Sequence, residues 1–251
     1  MKKKLIILTG PTAVGKTDLS IRLARTVGGE IISADSMQVY RRMDIGTAKI
    51  RPEEMDGVRH HLIDILEPTE SFNAFLFKEY ALKAANEIWE RGSIPIIVGG
   101  TGFYIQTLLY DIEFAKSDEN DGIRDELNKL YEEHGAAFLH DMLAKVDPEY
   151  AAEVHENNVK KVIRAIEFYR QTGHKLSEHN TEQRERPSPY NFEYFVLSDD
   201  RTVLYERIDK RIDGMVEAGL IAEVQALLDE GVDRRSVAMQ GLGYKEIASY
   251  L

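Results

Sequence analysis

The chain has 251 residues, of which 43% are hydrophobic, and a formal net charge of −11. This length can bury one ample core, or a core with a smaller lobe, and the negative charge argues against indiscriminate binding to nucleic acid. No cysteine is present, which excludes a disulfide framework and thiolate metal sites. Because the apolar run after the N-terminal lysines is too short for a signal peptide or a membrane span, we expect a compact cytoplasmic protein without a membrane partner.

A glycine-rich loop follows the first predicted element, a buried strand at residues 4–9. The loop sequence Gly-Pro-Thr-Ala-Val-Gly-Lys-Thr fits the phosphate-binding pattern G-x-x-x-x-G-K-[ST] in full. In that pattern, backbone N–H groups converge on phosphate oxygens, the lysine supplies a point charge and the final hydroxyl binds Mg2+. We therefore predict a diphosphate or nucleotide site, with Mg2+ at Thr17, formed by Gly10, Pro11, Thr12, Ala13, Val14, Gly15, Lys16 and Thr17. The pattern does not distinguish ATP, GTP and a diphosphate ester.

The elements after the loop alternate between helix and strand. Their patterns predict a helix at residues 17–28, strands at 31–35 and 61–65, a helix at 73–91 that begins after the cap Asn73, and a strand at 94–98. Such alternation is typical of right-handed crossovers. We therefore expect an α/β fold, a parallel sheet of the P-loop NTPase type with helices on both faces and ligands at its carboxyl edge.

The second half of the chain first loses its strands. Residues 113–187 have a helical pattern, acidic at first and then basic, before a strand at 192–197 and a second helical region at 201–228. We predict a discontinuous core of residues 1–112 and 188–251, with residues 113–187 as a helical insertion.

Two polar positions follow predicted strands at the carboxyl edge. Asp35 is a candidate general base or hydrogen-bond acceptor, although it could instead cap the following turn. Thr101 lies among Gly99, Gly100 and Gly102, which allow close approach of a ligand or, alternatively, tight packing. No acidic residue follows the strand at 94–98, which argues against an ATPase or GTPase motor.

Basic residues in the second half suggest phosphate contacts. On the predicted helix from residue 159 to 171, Lys160, Lys161 and Arg164 share a face, with Lys175, Arg184 and Arg186 further along the chain. Together they favour contact with a nucleic-acid backbone over an ordinary solvated face. Arg207 and Arg211, one helical turn apart, could be surface charge or a second clamp on a diphosphate.

The adjacent histidines His60 and His61 resemble a metal pair at first sight. Neighbouring residues of a strand point to opposite faces, so the two cannot easily share one ion. We predict no zinc site there.

Several motifs occur in one order along the chain. They are the loop at 10–17, Ala-Asp-Ser-Met-Gln-Val-Tyr at 34–40, Asp-Ile-Gly-Thr-Ala-Lys at 44–49, His-His-Leu-Ile-Asp at 60–64, Val-Gly-Gly-Thr-Gly-Phe-Tyr at 98–104 and Gly-Leu-Gly-Tyr-Lys at 241–245. Together they closely resemble the tRNA dimethylallyltransferases of the IPP transferase family. The resemblance implies transfer of a dimethylallyl group from its diphosphate to N6 of the adenine at tRNA position 37, beside the anticodon, with Mg2+.

The resemblance also implies roles for individual residues. Residues 12–17, with Lys16 among them, would hold the diphosphate, Asp35 would be the base, and Thr101 would bind the same adenine. The insertion would grip the anticodon stem-loop. The implied tRNA contacts, with Arg164 added from the basic cluster, are Asp35, Ser36, Met37, Gln38, Thr101, Arg124, Val159, Lys160, Lys161, Val162, Ile163, Arg164, Gln240, Gly241, Leu242, Gly243, Tyr244 and Lys245.

The sequence departs from the family pattern at Lys160 and Lys161, where relatives commonly have Gln-Arg, so the planar fork of the arginine is lost. Family members also generally continue past residue 251 into a basic segment, so we expect the natural chain to be longer. We expect a monomer. A small-molecule kinase and an RNA-binding module without catalysis remain the alternative functions.

Overall fold

A computed structural model describes residues 2–112 and 122–251. The chain divides into two compact units, one of residues 1–111 with 188–251 and one of residues 112–187. The sequence prediction placed these boundaries after residues 112 and 187. The predicted first residue of the insertion, Glu113, lies outside the described residues.

The first unit contains a five-stranded parallel sheet. Its strands are β1 (Lys4–Thr9), β2 (Gly29–Ser33), β3 (His60–His61), β4 (Ile94–Gly99) and β5 (Asn191–Val196), in the order β3-β2-β4-β1-β5. The predicted α/β class and parallel sheet are therefore confirmed.

The register of the central strands determines where the loops meet. Thr9 of β1 pairs with Gly99 of β4, and Ser33 of β2 pairs with Val98. Because all three strands run in the same direction, the loops that follow them leave the sheet at the same edge. β1 and β4 form the centre of the core, and Ile7 and Ile97 have no exposed surface.

Helices cover both faces of the sheet. Helix α1 (Lys16–Val27) packs Ile21 and Ala24 against Ile31 and Ile96. The crossover through α1 runs from β1 to β2, and that through α2 (Ala74–Glu90) runs back from β3 to β4. Right-handed crossovers in opposite directions place their helices on opposite faces. The predicted cap of α2 is confirmed, since the Asn73 side chain accepts from the backbone N–H of Leu76 at 3.0 Å.

Short helix α3 (Gly102–Leu109) follows β4, and the described residues of the second unit form four helices and no strand. Its helices are α4 (Ile123–Val146), α5 (Pro148–Glu153), α6 (Val159–Thr172) and α7 (Leu176–Glu185). Gly135, with φ of 84° and ψ of 179°, interrupts α4. The buried carboxylate of Asp147 accepts from the N–H of Tyr150 at 3.1 Å and from the hydroxyl of Ser177 at 2.7 Å, which joins α5 to α7.

The chain returns to the first unit with helices α8 (Arg201–Glu217), α9 (Leu220–Asp229) and α10 (Tyr244–Tyr250). The helical character predicted for residues 201–228 is found in α8 and α9, which are separated where Gly219 adopts φ of 101°. Short 3-10 helices occur at Pro52–Glu54 and Ala238–Gln240. Within residues 2–112 and 122–251, no helix combines the length and apolar character needed to cross a membrane.

Two predicted strands differ from the structure. The strand expected at residues 61–65 is only the two-residue β3, because Leu62 and Asp64 have positive φ values of 63° and 54° that break the extended backbone. The strand expected at 31–35 ends at Ser33, because the Asp35 side chain bonds to the backbone ahead of it and forms a turn.

The contact between β4 and the segment after β2 leaves no room for a side chain. A Cβ on Gly99 would lie 2.4 Å from the carbonyl oxygen of Ala34, whereas a Cβ on Gly100 would lie 3.7 Å from its nearest neighbour, the carbonyl oxygen of Gly10. We expect Gly99→Ala to lower the free energy of unfolding by about 1–3 kcal/mol, because backbone must move. Urea titration followed by circular dichroism measures this.

Gly100→Ala is the matched control, since it makes the same chemical change at the next residue, where space exists. Equal destabilisation by the two substitutions would contradict the steric explanation.

Candidate phosphate site and its surroundings

The loop of residues 10–17 joins β1 to α1 with an unusual backbone path. Gly10, Ala13 and Gly15 have φ values of 150°, 61° and 91°. A Cβ on Gly10 would lie 2.5 Å from the carbonyl oxygen of Leu197, so this position requires glycine for packing as well as for conformation. The loop ends at the N-terminus of α1, where the helix dipole favours an anion.

Lys16 folds back over this loop. Its ammonium donates to the carbonyl oxygens of Gly10 at 2.9 Å and Pro11 at 2.6 Å. Burial lowers the pKa of Lys16, the negative charge of Asp35 opposes that change, and the positive charge of Arg211 lowers the pKa further. The ammonium of Lys16 is therefore placed among loop, carboxylate and guanidinium.

Helix α8 places the two candidate clamp arginines at the loop. Arg211 Nη1 lies 3.4 Å from Thr12 Oγ1, and Arg207 Nη1 lies 3.5 Å from the carbonyl oxygen of Ala13. Arg207 also pairs with Asp199 at 2.8 Å. Burial lowers the pKa of Arg211, and the charge of Asp35 opposes this. From the sequence, Arg207 and Arg211 could be either surface charge or a clamp on a diphosphate. The structure places both of them beside the phosphate loop.

Asp35 forms a turn and also faces these cations. Its Oδ1 accepts from the backbone N–H groups of Met37 at 2.8 Å and Gln38 at 3.3 Å. Among the described residues, no donor reaches Oδ2. The turn-capping role and the role of acceptor for a ligand are therefore compatible, because they use different oxygens.

Gln38 connects the Asp35 turn to the loop of residues 44–48. Its Nε2 lies 3.3 Å from the carbonyl oxygen of Thr47 and 3.4 Å from that of Ala48, and its Oε1 accepts from the hydroxyl of Ser33 at 3.1 Å. Both ends of this amide are thus occupied by protein groups. The Gln38 amide therefore holds the turn in place, and the contact of this residue with tRNA stays a prediction.

Thr101 begins α3 at the same edge of the sheet. Its carbonyl oxygen accepts from the N–H of Ile105 at 3.3 Å, and its half-buried side chain makes no capping bond. Further along α3, Tyr104 is buried, and burial together with the charge of Asp35 raises its pKa to about 12. An aromatic side chain therefore lies close enough to Asp35 to sense its charge.

The predicted tRNA-contact residues near the end of the chain, 240–245, differ in their exposure to solvent. Gln240 and Lys245 are exposed, and the Leu242 side chain is 88% exposed. Tyr244 is buried and its hydroxyl donates to the carboxylate of Glu223, so its side chain is occupied within the protein, and its contact with tRNA stays a prediction.

Gly241 packs against the segment that contains Asp35. A Cβ on Gly241 would lie 2.8 Å from the sulfur of Met37. The predicted contact groups at residues 35–38 and 240–245 are consequently neighbours, although many residues separate them in the chain.

In the second unit, the candidate helix α6 separates into two faces. Val162 and Ile163 are 0% and 5% exposed and pack in the core of that unit, so their side chains do not face solvent, and the contacts of these residues with tRNA stay predictions. Val159 packs partly against the same core. The exposed face carries Lys160, Lys161 and Arg164.

The other basic residues of this unit that were predicted to contact RNA differ in their partners. Arg124 pairs with the buried carboxylate of Glu167. Lys175 pairs with Glu178 at 2.8 Å. The side chain of Arg184 lies outside the described part of the chain.

His60 and His61 point to different partners, as expected for neighbours in a strand. His60 Nδ1 lies 2.9 Å from the carbonyl oxygen of Val58, and His61 Nε2 lies 2.8 Å from Glu30 Oε2. Burial lowers the pKa of His60.

Two residues that the sequence did not single out support the site. The ammonium of Lys49, whose side chain is 4% exposed, contacts the Tyr40 carbonyl oxygen at 2.6 Å and one oxygen each of Asp44 and Asp64 at 2.6 and 2.5 Å. Glu223 of α9 accepts from the backbone of residues 44–46. The motif at 44–49 was a signal for Lys49, whereas Glu223 is one acidic residue in an amphipathic helix and gives no signal.

A parallel sheet with a G-x-x-x-x-G-K-[ST] loop at its carboxyl edge, and guanidinium groups beside that loop, defines the class of P-loop phosphate-binding proteins. The sequence model of the family described as IPP transferase matches residues 38–251. The chain belongs to this IPP transferase family.

Named relatives and solved structures agree with this assignment. The tRNA dimethylallyltransferase of Lachnoclostridium phytofermentans is 58% identical over 247 residues, which are 98% of this chain and 79% of the relative. The full-length tRNA isopentenylpyrophosphate transferase of Bacillus halodurans has a TM-score of 0.71 at 46% identity, with 99% of this chain and 77% of that chain covered. A eukaryotic dimethylallyltransferase acting on tRNA has a TM-score of 0.87 at 33% identity, with 99% and 63% covered.

The position of Arg211 predicts an effect on anion binding. We expect Arg211→Ala to weaken binding of inorganic diphosphate by about tenfold or more, because a hydrogen bond between two charged groups contributes about 1.5–3 kcal/mol. Isothermal titration calorimetry with diphosphate measures the change.

Lys210→Ala is the matched control, since it removes one exposed positive charge from the same helix. An equal loss in both variants would show that Arg211 acts only through net charge.

Proposed function

We propose that this protein transfers a dimethylallyl group from dimethylallyl diphosphate to N6 of the adenine at tRNA position 37. The observation that carries the proposal is the meeting of Lys16, Arg211 and Asp35 at one edge of the sheet, in a member of the IPP transferase family. Cationic groups suit a departing diphosphate, and a carboxylate suits an incoming amine. The names of the relatives support the choice of donor and acceptor.

The positive groups would act on the leaving group. As the bond between C1 of the allylic chain and the diphosphate oxygen breaks, negative charge grows on that oxygen. Lys16, Arg207, Arg211 and the N–H groups of the loop would stabilise this charge, and such preorganised donors are commonly the largest contribution to catalysis. Lys16 would exchange its bonds to the Gly10 and Pro11 carbonyl oxygens for bonds to phosphate.

Asp35 would act on the nucleophile. The exocyclic amine of adenine is a weak nucleophile, and an acceptor for its proton raises its reactivity. The new bond joins N6 to C1, the C1–O bond breaks, and the proton of N6 passes to the carboxylate. Oδ2 suits this task, because Oδ1 already accepts from Met37 and Gln38.

Mg2+ would bind at Thr17, whose side chain lies in an exposed first turn of α1. Across the described residues, no group of three or more His, Cys, Asp or Glu side chains could hold a metal ion. Mg2+ usually keeps several waters and binds through few protein ligands and substrate phosphates, so a single hydroxyl beside the phosphate loop fits this ion. When bound, the ion would neutralise part of the diphosphate charge.

The acceptor would be a loop rather than a duplex. The adenine must leave its stack to reach the site, at a cost of about a few kcal/mol, which is least for an unpaired base. In the second unit, the exposed face of α6 with Lys160, Lys161 and Arg164 would contact phosphates of the anticodon stem-loop.

Product analysis tests the proposal. Purified protein is incubated with tRNA, Mg2+ and dimethylallyl diphosphate, and the digested nucleosides are analysed by mass spectrometry. We expect an adenosine that carries one additional dimethylallyl group. Absence of this product, or formation of ADP from ATP with a small-molecule acceptor, would overturn the proposal.

Asp35→Asn tests the role of the carboxylate. Asparagine keeps an oxygen for the Met37 and Gln38 amides but cannot take a proton, so we expect kcat to fall by about 100-fold or more. Binding of the diphosphate donor should change little. Single-turnover kinetics with Asp213→Asn of α8 as the control measures both, and an unchanged rate would remove Asp35 from the mechanism.

A further inference from the structure

Glu223 makes an unusual set of contacts for one side chain of a helix. Its Oε2 accepts from the backbone N–H groups of Asp44 at 2.9 Å and Ile45 at 2.8 Å, and its Oε1 accepts from that of Gly46 at 3.2 Å. The hydroxyl of Tyr244 donates to Oε1 as well. Consecutive N–H groups that converge in this way form an anion-binding concavity, and here a carboxylate of the protein fills it.

The packing around this contact is close. A Cβ on Gly46 would lie 2.5 Å from the ring of Tyr244, so the ring rests directly on the loop backbone. Tyr244 is 1% exposed. The loop of residues 44–48 is therefore held from α9 and α10 together.

The same loop holds Gln38 on its other side. The carbonyl oxygens of Thr47 and Ala48 face the Gln38 side-chain amide, and the N–H of Gln38 donates to Asp35 Oδ1. Hydrogen bonds consequently connect Glu223, through the loop and Gln38, to the carboxylate of Asp35. Lys49 fixes the end of the loop through Asp44 and Asp64, but it contacts the Tyr40 carbonyl oxygen rather than Gln38.

We propose that Glu223 is a positioning residue, which sets the orientation of the Asp35 carboxylate through the loop of residues 44–48 and Gln38. This inference rests on the proposed function. Glu223 touches neither donor nor acceptor in this scheme. It keeps Oδ2 of Asp35 aimed at the incoming amine, because small displacements of a reacting group reduce the rate strongly.

Kinetics of Glu223→Ala tests the proposal. We expect kcat for prenyl transfer to fall by about tenfold or more, with KM for the diphosphate donor unchanged within about twofold, because the phosphate loop is not involved. Glu223→Gln should recover most of the rate, since its carbonyl oxygen still accepts from the loop. Glu217→Gln, an exposed change of the same kind on α8, is the control and should match the wild type. A change in KM alone, or no recovery with glutamine, would overturn the proposal.

A double-mutant cycle with Gln38→Ala tests whether Glu223 acts on Asp35 through Gln38. If Glu223 acts through Gln38, Glu223→Ala should lower kcat by less than about threefold in the Gln38→Ala protein, because contacts in one network do not add. Additive losses in the cycle would show that Glu223 does not act through Gln38, and would overturn the proposal.

Amide hydrogen exchange gives an outcome that does not depend on activity. Glu223→Ala should increase exchange at Asp44, Ile45 and Gly46 and at the N–H of Gln38, while the amides of β1 stay protected. Failure of the wild type to form product would refute the proposed function and leave this readout intact. Unchanged exchange at Gln38 in the variant would refute the positioning role.

Discussion

The parallel pairing of β4 with β1 and with β2, together with the close approach of Gly99 to the backbone of Ala34 that only glycine permits, is the constraint on which the site depends. It places the ends of β1, β2 and β4 side by side, so that the phosphate loop, Asp35 and Thr101 leave the sheet together. None of these groups could act on one ligand if the central strands were shifted by one residue, because each side chain would turn to the other face. The chemistry of the site is therefore a consequence of backbone packing.

Elements of the fold could be predicted from the sequence where a short run of residues determines them. Apolar runs and the glycine-rich loop predicted β1, α1 and β4, and Asn73 predicted the start of α2. The sequence did not predict where an element ends when the backbone angle of one residue determines that end. Gly219 ends a helix and Leu62 ends a strand, yet neither conformation can be derived from hydrophobic periodicity, which continues through both positions.

For the candidate site, the motif identified the loop, and the position after a predicted strand identified Asp35. The surroundings of each side chain decide which groups it can reach. Val162 and Tyr244 are among the tRNA contacts that the resemblance implies and are nonetheless buried, because position in a family pattern carries no information on which way a residue faces. Conversely, Arg211 could be assigned to the loop only after α8 was located in space. Glu223 was missed because its partners lie far away in the chain and are backbone groups, which leave no trace in residue types.

The surroundings of Lys16 and Lys49 give these two side chains different chemical reactivity. Only the uncharged amine attacks acylating reagents, and a lowered pKa increases its share at any given pH. Lys49 is enclosed by a carbonyl oxygen and two carboxylates, so a reagent cannot approach it without breaking these contacts. If Lys16 binds phosphate as proposed, its amine would thus also be a site for covalent labelling, and a bound anion would shield it.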